Sequence, residues 1–78
     1  MPAVTIYWRP MCGYCMTLKQ ELESHGVDFS SVNIWSDRGQ AEVVKEANGG
    51  DELVPTVRVG DAFLGNPSVE EVLSALAR

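Results

Sequence analysis

The chain's two cysteines, Cys12 and Cys15, are separated by two residues and lie where an apolar run gives way to a helical pattern. Cysteines at this spacing, at a strand-to-helix junction, are typical of redox chemistry. If the helix begins at Cys12, its sulfur faces the unpaired N–H groups of the first turn and the positive end of the helix dipole. Both effects favour the thiolate, which is the form that attacks a disulfide. Cys15 lies on the same helical face and can close a small ring with Cys12, which suits a bond that is made and broken repeatedly.

The elements on either side of this pair follow from the residue pattern. Residues 3–8 are almost all β-branched or aromatic and predict a buried central strand. From Cys12, apolar residues recur at helical spacing until Gly26, and residues 27–34 are the second predicted strand, with two serines that interrupt its alternation. A strand, a helix and a strand in this order predict a βαβ unit with parallel strands.

The second half of the chain adds a helix, a hairpin and a last helix. A capping-box pattern that starts at Asp37 begins the second helix. Residues 54–59 and 62–64 flank a tight glycine-containing turn and predict a β-hairpin. The last helix has either Pro67 at its first position or Ser68 as its cap. The order β-α-β-α-β-β-α predicts an α/β fold in which three helices flank a four-stranded mixed sheet.

Length and composition limit what the chain can be. Its 78 residues suffice for one small domain, expected over residues 1–78, and two cysteines cannot staple a disulfide-rich scaffold. The net charge of −5 disfavours nucleic acid and anionic membranes as partners, because both need a basic footprint. The first residues lack the basic and apolar regions of a secretion signal, and no run approaches the ~18 apolar residues of a membrane span. We therefore expect a cytoplasmic protein, in which a cysteine pair is catalytic or metal-binding rather than structural.

On its motifs the chain resembles the glutaredoxins and, within them, the mycoredoxins of actinobacteria. The similarity runs from Val4 to the final helix. The motifs that carry it are Cys12-Gly13-Tyr14-Cys15, Asn48-Gly49-Gly50, Val54-Pro55-Thr56-Val57 and Asn66-Pro67-Ser68. The resemblance implies a thioredoxin/glutaredoxin-like fold and disulfide exchange through the cysteine pair. We expect a monomer without a bound cofactor or metal.

The resemblance also implies roles for residues near the cysteines. Pro55 would be in cis beside Cys12, and the backbone of Val54 would pair with the cysteine part of a bound small thiol. Arg9 lies three positions before Cys12 and would stabilise the thiolate or contact the substrate. Tyr14 would form a wall of the groove that binds the thiol.

The start of the last helix departs from the pattern of the glutathione-using members. Those members have two glycines and then an acidic residue, where this chain has Gly65-Asn66-Pro67-Ser68. The neutral side chains of Asn66 and Ser68 suit a sugar-like ligand better than a charged tripeptide. This difference favours mycothiol, a cysteine-containing sugar conjugate, as the co-substrate.

The predicted activity is the reduction of mixed disulfides between proteins and mycothiol, with mycothiol as the electron donor. Cys12 attacks the mycothiol sulfur, the protein leaves as a thiol, and a second mycothiol regenerates Cys12. Cys15 is needed only for protein dithiols. Two alternatives stay open: a thioredoxin-like dithiol donor recharged by a flavoprotein reductase, and a [2Fe–2S] cluster bridged by Cys12 of two chains, which Gly13 permits.

Overall fold

The computed structural model describes residues 3–77. Met1, Pro2 and Arg78 lie outside the described residues, so the predictions of one domain over residues 1–78 and of no secretion signal fall partly outside them. The elements are β1 Val4–Trp8, α1 Gly13–Ser24, β2 Ser30–Asn33, α2 Arg38–Ala47, β3 Thr56–Val59, β4 Ala62–Gly65 and α3 Val69–Leu76. The sheet has the strand order β2-β1-β3-β4. β1 is parallel to β2, and β3 is antiparallel to both β1 and β4. The predicted mixed sheet with three helices is confirmed.

β1 is a central strand with buried residues on both faces. Val4 and Ile6 pack in a cluster with apolar residues of α1 and α3. Tyr7 packs in a second cluster with Ala41 and Val44 of α2. The apolar run in the sequence therefore reflects burial beneath helices on both sides of the sheet. The loop that follows β1 and ends at Cys12 leaves from the middle of the sheet.

The strand β2 is shorter than predicted. Gly26, at φ +70°, donates its N–H to the Glu23 carbonyl, and Val27 donates to the Leu22 carbonyl, each at 3.0 Å. This Schellman motif ends α1, so Val27 is committed to the helix terminus and cannot begin a strand. The two serines lie within β2 rather than interrupting it, because they are exposed on an edge strand.

The hairpin and the last helix form with small shifts in their bounds. Val54 and Pro55 precede β3 instead of starting it, and β4 extends one residue further than predicted. Ser68 is the cap of α3, which decides between the two predicted starts. Its hydroxyl accepts the Glu71 N–H at 3.2 Å, and the Glu71 carboxylate accepts the Ser68 N–H at 3.0 Å. Within residues 3–77, none of the helices combines the length and apolar character needed to cross a membrane.

Candidate active site

The two cysteines lie at the N-terminus of α1 and form a disulfide. Cys12 is the N-cap residue, and its sulfur accepts the backbone N–H of Cys15 at 3.2 Å. Cys12 is 7% exposed, whereas Cys15 is fully buried. The N–H donor and the helix dipole both favour negative charge on the Cys12 sulfur. The difference in exposure leaves Cys12 as the sulfur that an incoming disulfide can reach.

Val54 and Pro55 lie at the same end of the sheet as the cysteine loop. Tyr7 of β1 pairs with Thr56 of β3, so Pro55 reaches the end of β1 from which the loop departs. The Val54–Pro55 peptide bond is cis, as the resemblance implies. Pro55 is buried, and its carbonyl accepts the Asn66 N–H at 2.8 Å. Within residues 3–77, the backbone N–H and C=O of Val54 form no hydrogen bond.

A partly buried polar contact holds the segment that leads to Val54. The Asn48 side-chain amide donates to the Val44 carbonyl at 2.8 Å and to the Thr56 hydroxyl at 3.2 Å. The Thr56 hydroxyl in turn donates to the Leu53 carbonyl at 2.6 Å. Gly65 lies against this contact: an added Cβ would come within 2.9 Å of the Asn48 Oδ1. These residues fix the path of the chain from α2 to β3.

An ion-pair network ties the same segment to α2. Both terminal guanidinium nitrogens of Arg38 donate to the Glu52 carboxylate at 2.9 Å, and Lys45 Nζ lies 3.6 Å from the same carboxylate. The hydrogen bonds from Arg38, with the nearby positive charges, lower the pKa of Glu52 below its ordinary value of 4.5. The same hydrogen bonds raise the pKa of Arg38.

The basic side chains near the cysteine loop stack on tryptophans. Arg9 donates to the Pro10 carbonyl at 3.0 Å, and its guanidinium lies 5.6 Å from the centre of the Trp35 ring. Lys19 Nζ lies 4.4 Å from the centre of the Trp8 ring. Arg9 is therefore held within the loop that precedes Cys12, beside an exposed aromatic surface.

A groove of about 320 Å³ runs between α1 and the start of α3. It brings together three residues that the sequence assigns to substrate binding: Tyr14, Asn66 and Ser68. It also contains residues that the sequence analysis missed, namely Thr17, Leu18, Glu21, Pro67 and Glu71. Thr17 and Glu21 follow Tyr14 at helical spacing, which is the signal that could have found them. The lining includes two carboxylates and no basic side chain.

Met11 has a backbone conformation that is rare for its residue type. Its φ is +64°, in the left-handed region, and its side chain is 92% exposed. That conformation costs a residue with a Cβ roughly 1–2 kcal/mol. The exposed side chain makes no compensating packing contact with the core.

No group of three or more His, Cys, Asp and Glu side chains arranged to hold a metal ion occurs in the described part of the chain. The cysteine pair lies at this end of the sheet, at the N-terminus of α1. A cysteine pair at a helix N-terminus, once reduced to thiols, can exchange electrons with disulfides.

Comparisons with known proteins support this interpretation. The glutaredoxin family model matches residues 4–64. A Mycobacterium tuberculosis protein named as a glutaredoxin is 42% identical over 97% of this chain and 92% of its own length. Mycoredoxin 1 of Corynebacterium glutamicum is 35% identical over 97% of this chain and 95% of its own length. The glutaredoxin-like protein NrdH-redoxin from Escherichia coli is 30% identical in sequence. Its solved structure superposes with a TM-score of 0.72 over 83% of this chain and 84% of that one.

The matched region contains both cysteines and the cis proline, and the sheet and helices occur in the order that the resemblance implies. The chain belongs to the glutaredoxin family and is a thiol–disulfide oxidoreductase, with a mycoredoxin among its relatives.

Proposed function

We propose that the protein reduces mixed disulfides between proteins and mycothiol, and that mycothiol supplies the electrons. The observation that carries this proposal is the groove beside Tyr14. Its lining offers hydroxyl, amide and carboxylate groups but no cation. An uncharged sugar conjugate can hydrogen-bond to such a surface, whereas the carboxylates of glutathione would face Glu21 and Glu71 without a counter-charge. The name of the Corynebacterium relative supports the same choice.

Cys12 acts as the nucleophile in this proposal. Its thiolate forms a bond to the mycothiol sulfur, the mixed disulfide breaks, and the electron pair leaves on the substrate protein's sulfur, which takes up a proton. A second mycothiol thiolate then attacks the mycothiol sulfur bound to Cys12. Mycothiol disulfide leaves, and the electron pair returns to Cys12 as a thiolate. The partial exposure of Cys12 and the complete burial of Cys15 support this assignment.

The remaining residues of the proposed site orient the small thiol. The unpaired backbone groups of Val54, next to cis Pro55, pair with the cysteine part of mycothiol. Tyr14, Asn66 and Ser68 contact the sugar part in the groove. Arg9 contacts the substrate from the loop before Cys12. The proposed partners are thus mycothiol and mycothiolated proteins in the cytoplasm, where a reduced thiol pool exists, and the protein works as a monomer without a bound cofactor.

The decisive experiment compares two cysteine variants on a mycothiol mixed disulfide. We expect Cys12→Ser to lose the activity and Cys15→Ser to retain it, because the proposed route does not use Cys15. The rate of release of the substrate thiol is measured with mycothiol as reductant. Activity in Cys12→Ser, or its complete loss in Cys15→Ser, would contradict the mechanism. A higher rate with the glutathione mixed disulfide of the same peptide would contradict the choice of small thiol.

The similarity to NrdH-redoxin favours a second candidate. The solved structure of that protein is described as explaining a thioredoxin-like activity profile. In this candidate the Cys12–Cys15 pair donates electrons as a dithiol and is recharged by thioredoxin reductase with NADPH. Incubation of the oxidised protein with that reductase discriminates the two: rapid NADPH oxidation favours the second candidate, and reduction by mycothiol alone favours the first.

A further inference from the structure

Met11 is the most exposed large apolar side chain within residues 3–77, and it directly precedes Cys12. We infer that this side chain contacts the polypeptide part of the substrate and selects for apolar residues beside the substrate cysteine. The inference rests on the disulfide exchange at Cys12 proposed above. It does not depend on which small thiol supplies the electrons.

The backbone conformation makes methionine an unexpected residue at this position. Positive φ values occur at six positions in the described chain: Met11, Gly26, Gly49, Gly50, Gly60 and Asn66. Glycine adopts such values without steric penalty, and asparagine tolerates them better than most residues. Met11 is the one large apolar residue in this set. Since its side chain is exposed, the fold alone would favour glycine there.

The reaction at the neighbouring Cys12 sulfur brings the substrate polypeptide close to the Met11 side chain. Cys12 is 7% exposed, so a disulfide that reaches it must approach closely. The polypeptide attached to that disulfide then passes over the residues around Cys12, of which Met11 is adjacent in the chain. An apolar substrate side chain would cover the thioether and remove both groups from water. The flexible methionine side chain can adapt to substrates of different shape.

The step to be measured needs no added reductant. The reduced Cys12–Cys15 pair is oxidised while a substrate disulfide is reduced. The Cys12 thiolate bonds to one substrate sulfur, the substrate S–S bond breaks, and the electron pair leaves on the other sulfur. Cys15 then attacks the Cys12 sulfur, which forms the internal disulfide and releases the second substrate sulfur. Two electrons pass to the substrate, and the proton lost by Cys15 together with one proton from water ends on the two released thiols.

The test uses two short peptides, each with one cysteine in a mixed disulfide with mercaptoethanol. Leucines flank the cysteine in one peptide, and serines flank it in the other. The reduced full-length protein is mixed with each peptide, and the released peptide thiol is quantified by chromatography after acid quenching. We expect Met11→Gly to lower the second-order rate constant about fivefold for the leucine peptide and less than about twofold for the serine peptide. Met11→Leu should keep the preference for the leucine peptide.

Two controls separate this contact from a structural effect. Met16→Ala removes the other exposed thioether near the cysteines, from a helical residue, and should leave both rates within about twofold of the original. The melting temperature of Met11→Gly should equal or exceed that of the parent, because glycine relieves the left-handed backbone.

Four results would overturn the inference. They are an unchanged preference in Met11→Gly, an equal loss with both peptides, an equal loss in Met16→Ala, and a lower melting temperature of Met11→Gly. Failure of the parent protein to react with either peptide would instead remove the proposed role of Cys12, and the inference with it. A preference of the parent for glutathione over mycothiol would leave the inference standing.

Discussion

At the scale of single residues, the two sulfurs differ in ways that the Cys-x-x-Cys motif does not express. Cys12 caps the helix and retains a small exposed area, whereas Cys15, in the first turn of α1, is fully buried. The N–H of Cys15 is directed at the Cys12 sulfur. Burial and a directed donor thus assign different roles to two identical side chains.

Gly65 provides a residue-scale prediction about stability. An added Cβ would lie 2.9 Å from the Asn48 Oδ1 and 2.9 Å from a methyl carbon of Leu53. We expect Gly65→Ala to lower the free energy of unfolding by roughly 1–3 kcal/mol, because these atoms must move apart. Urea denaturation followed by circular dichroism measures the change.

Gly13→Ala is the matched control for this substitution. A Cβ at Gly13 would meet no atom within 4 Å, and the residue lies at the start of α1. Its unfolding free energy should stay within about 0.5 kcal/mol of the parent or rise slightly. Equal stability of Gly65→Ala and Gly13→Ala would refute the close approach at Gly65.

At the scale of elements, the segment between α2 and β3 positions Val54 and Pro55 although it has no regular structure. Partly buried hydrogen bonds from Asn48 and Thr56 hold this segment, and on the surface the Glu52 carboxylate joins it to Arg38. The bidentate geometry of the Arg38–Glu52 pair makes it stronger than most surface ion pairs.

Glu52→Gln tests this tie through its pH dependence. The pKa of Glu52 is lowered in the folded state, so its contribution to stability is present above the ordinary value of 4.5 and is lost as the pH falls through the folded value. We expect the variant to be less stable than the parent at neutral pH. The difference should shrink as the pH falls below 4.5. Urea midpoints measured across this range give the answer.

Glu46→Gln is the control for charge alone, since Glu46 is exposed on α2, the helix that carries Arg38, and forms no ion pair with another residue of the range 3–77. Its urea midpoint should match the parent at each pH. A stability difference of Glu52→Gln that persists unchanged into acid would show that the carboxylate charge is not what stabilises the segment.

The elements also show which features could be predicted from the sequence. The helices follow from local signals, such as the Ser68 cap and the apolar spacing of α1, because caps and periodicity involve near neighbours. The predicted start of β2 is wrong because Val27 forms part of the hydrogen-bonded C-terminus of α1. The Arg38–Glu52 pair spans 14 residues, and no local pattern indicates it.

The candidate site divides in the same way. The cysteine pair was predictable because its spacing is a local motif, and Pro55 because the family resemblance implies it. The left-handed backbone of Met11 and the groove residue Glu71 were not predictable in this way. Both depend on how the loop and α3 settle against α1, which only the folded chain determines.

At the scale of the whole molecule, the net charge of −5 and the groove carboxylates act in the same direction. An anionic small thiol is repelled both at long range and at the site, whereas an uncharged one is not. Electrostatics therefore favours the proposed uncharged co-substrate over glutathione before any hydrogen bond forms.

Salt should reveal this repulsion. We expect the rate with a glutathione mixed disulfide to rise about twofold to threefold between roughly 0.01 M and 0.15 M ionic strength, because the screening length falls from about 30 Å to about 8 Å. The rate with the mycothiol mixed disulfide of the same peptide should stay constant. Glu21→Lys should raise the glutathione rate at low salt, whereas Glu23→Lys, the same charge change outside the groove lining, should raise it less. Identical salt responses for the two disulfides would contradict the argument.

The short outer strands have a further consequence for the molecule in a crowded solution. β2 and β4, at the two margins of the sheet, contain four residues each, and the first two of β2 are exposed serines. A strand of a neighbouring chain that paired with either edge would meet few free backbone N–H and C=O groups and, at β2, hydrated serine hydroxyls. The fold can therefore present reactive sulfur at one end while its flanks resist the strand-to-strand stacking that leads to fibrils.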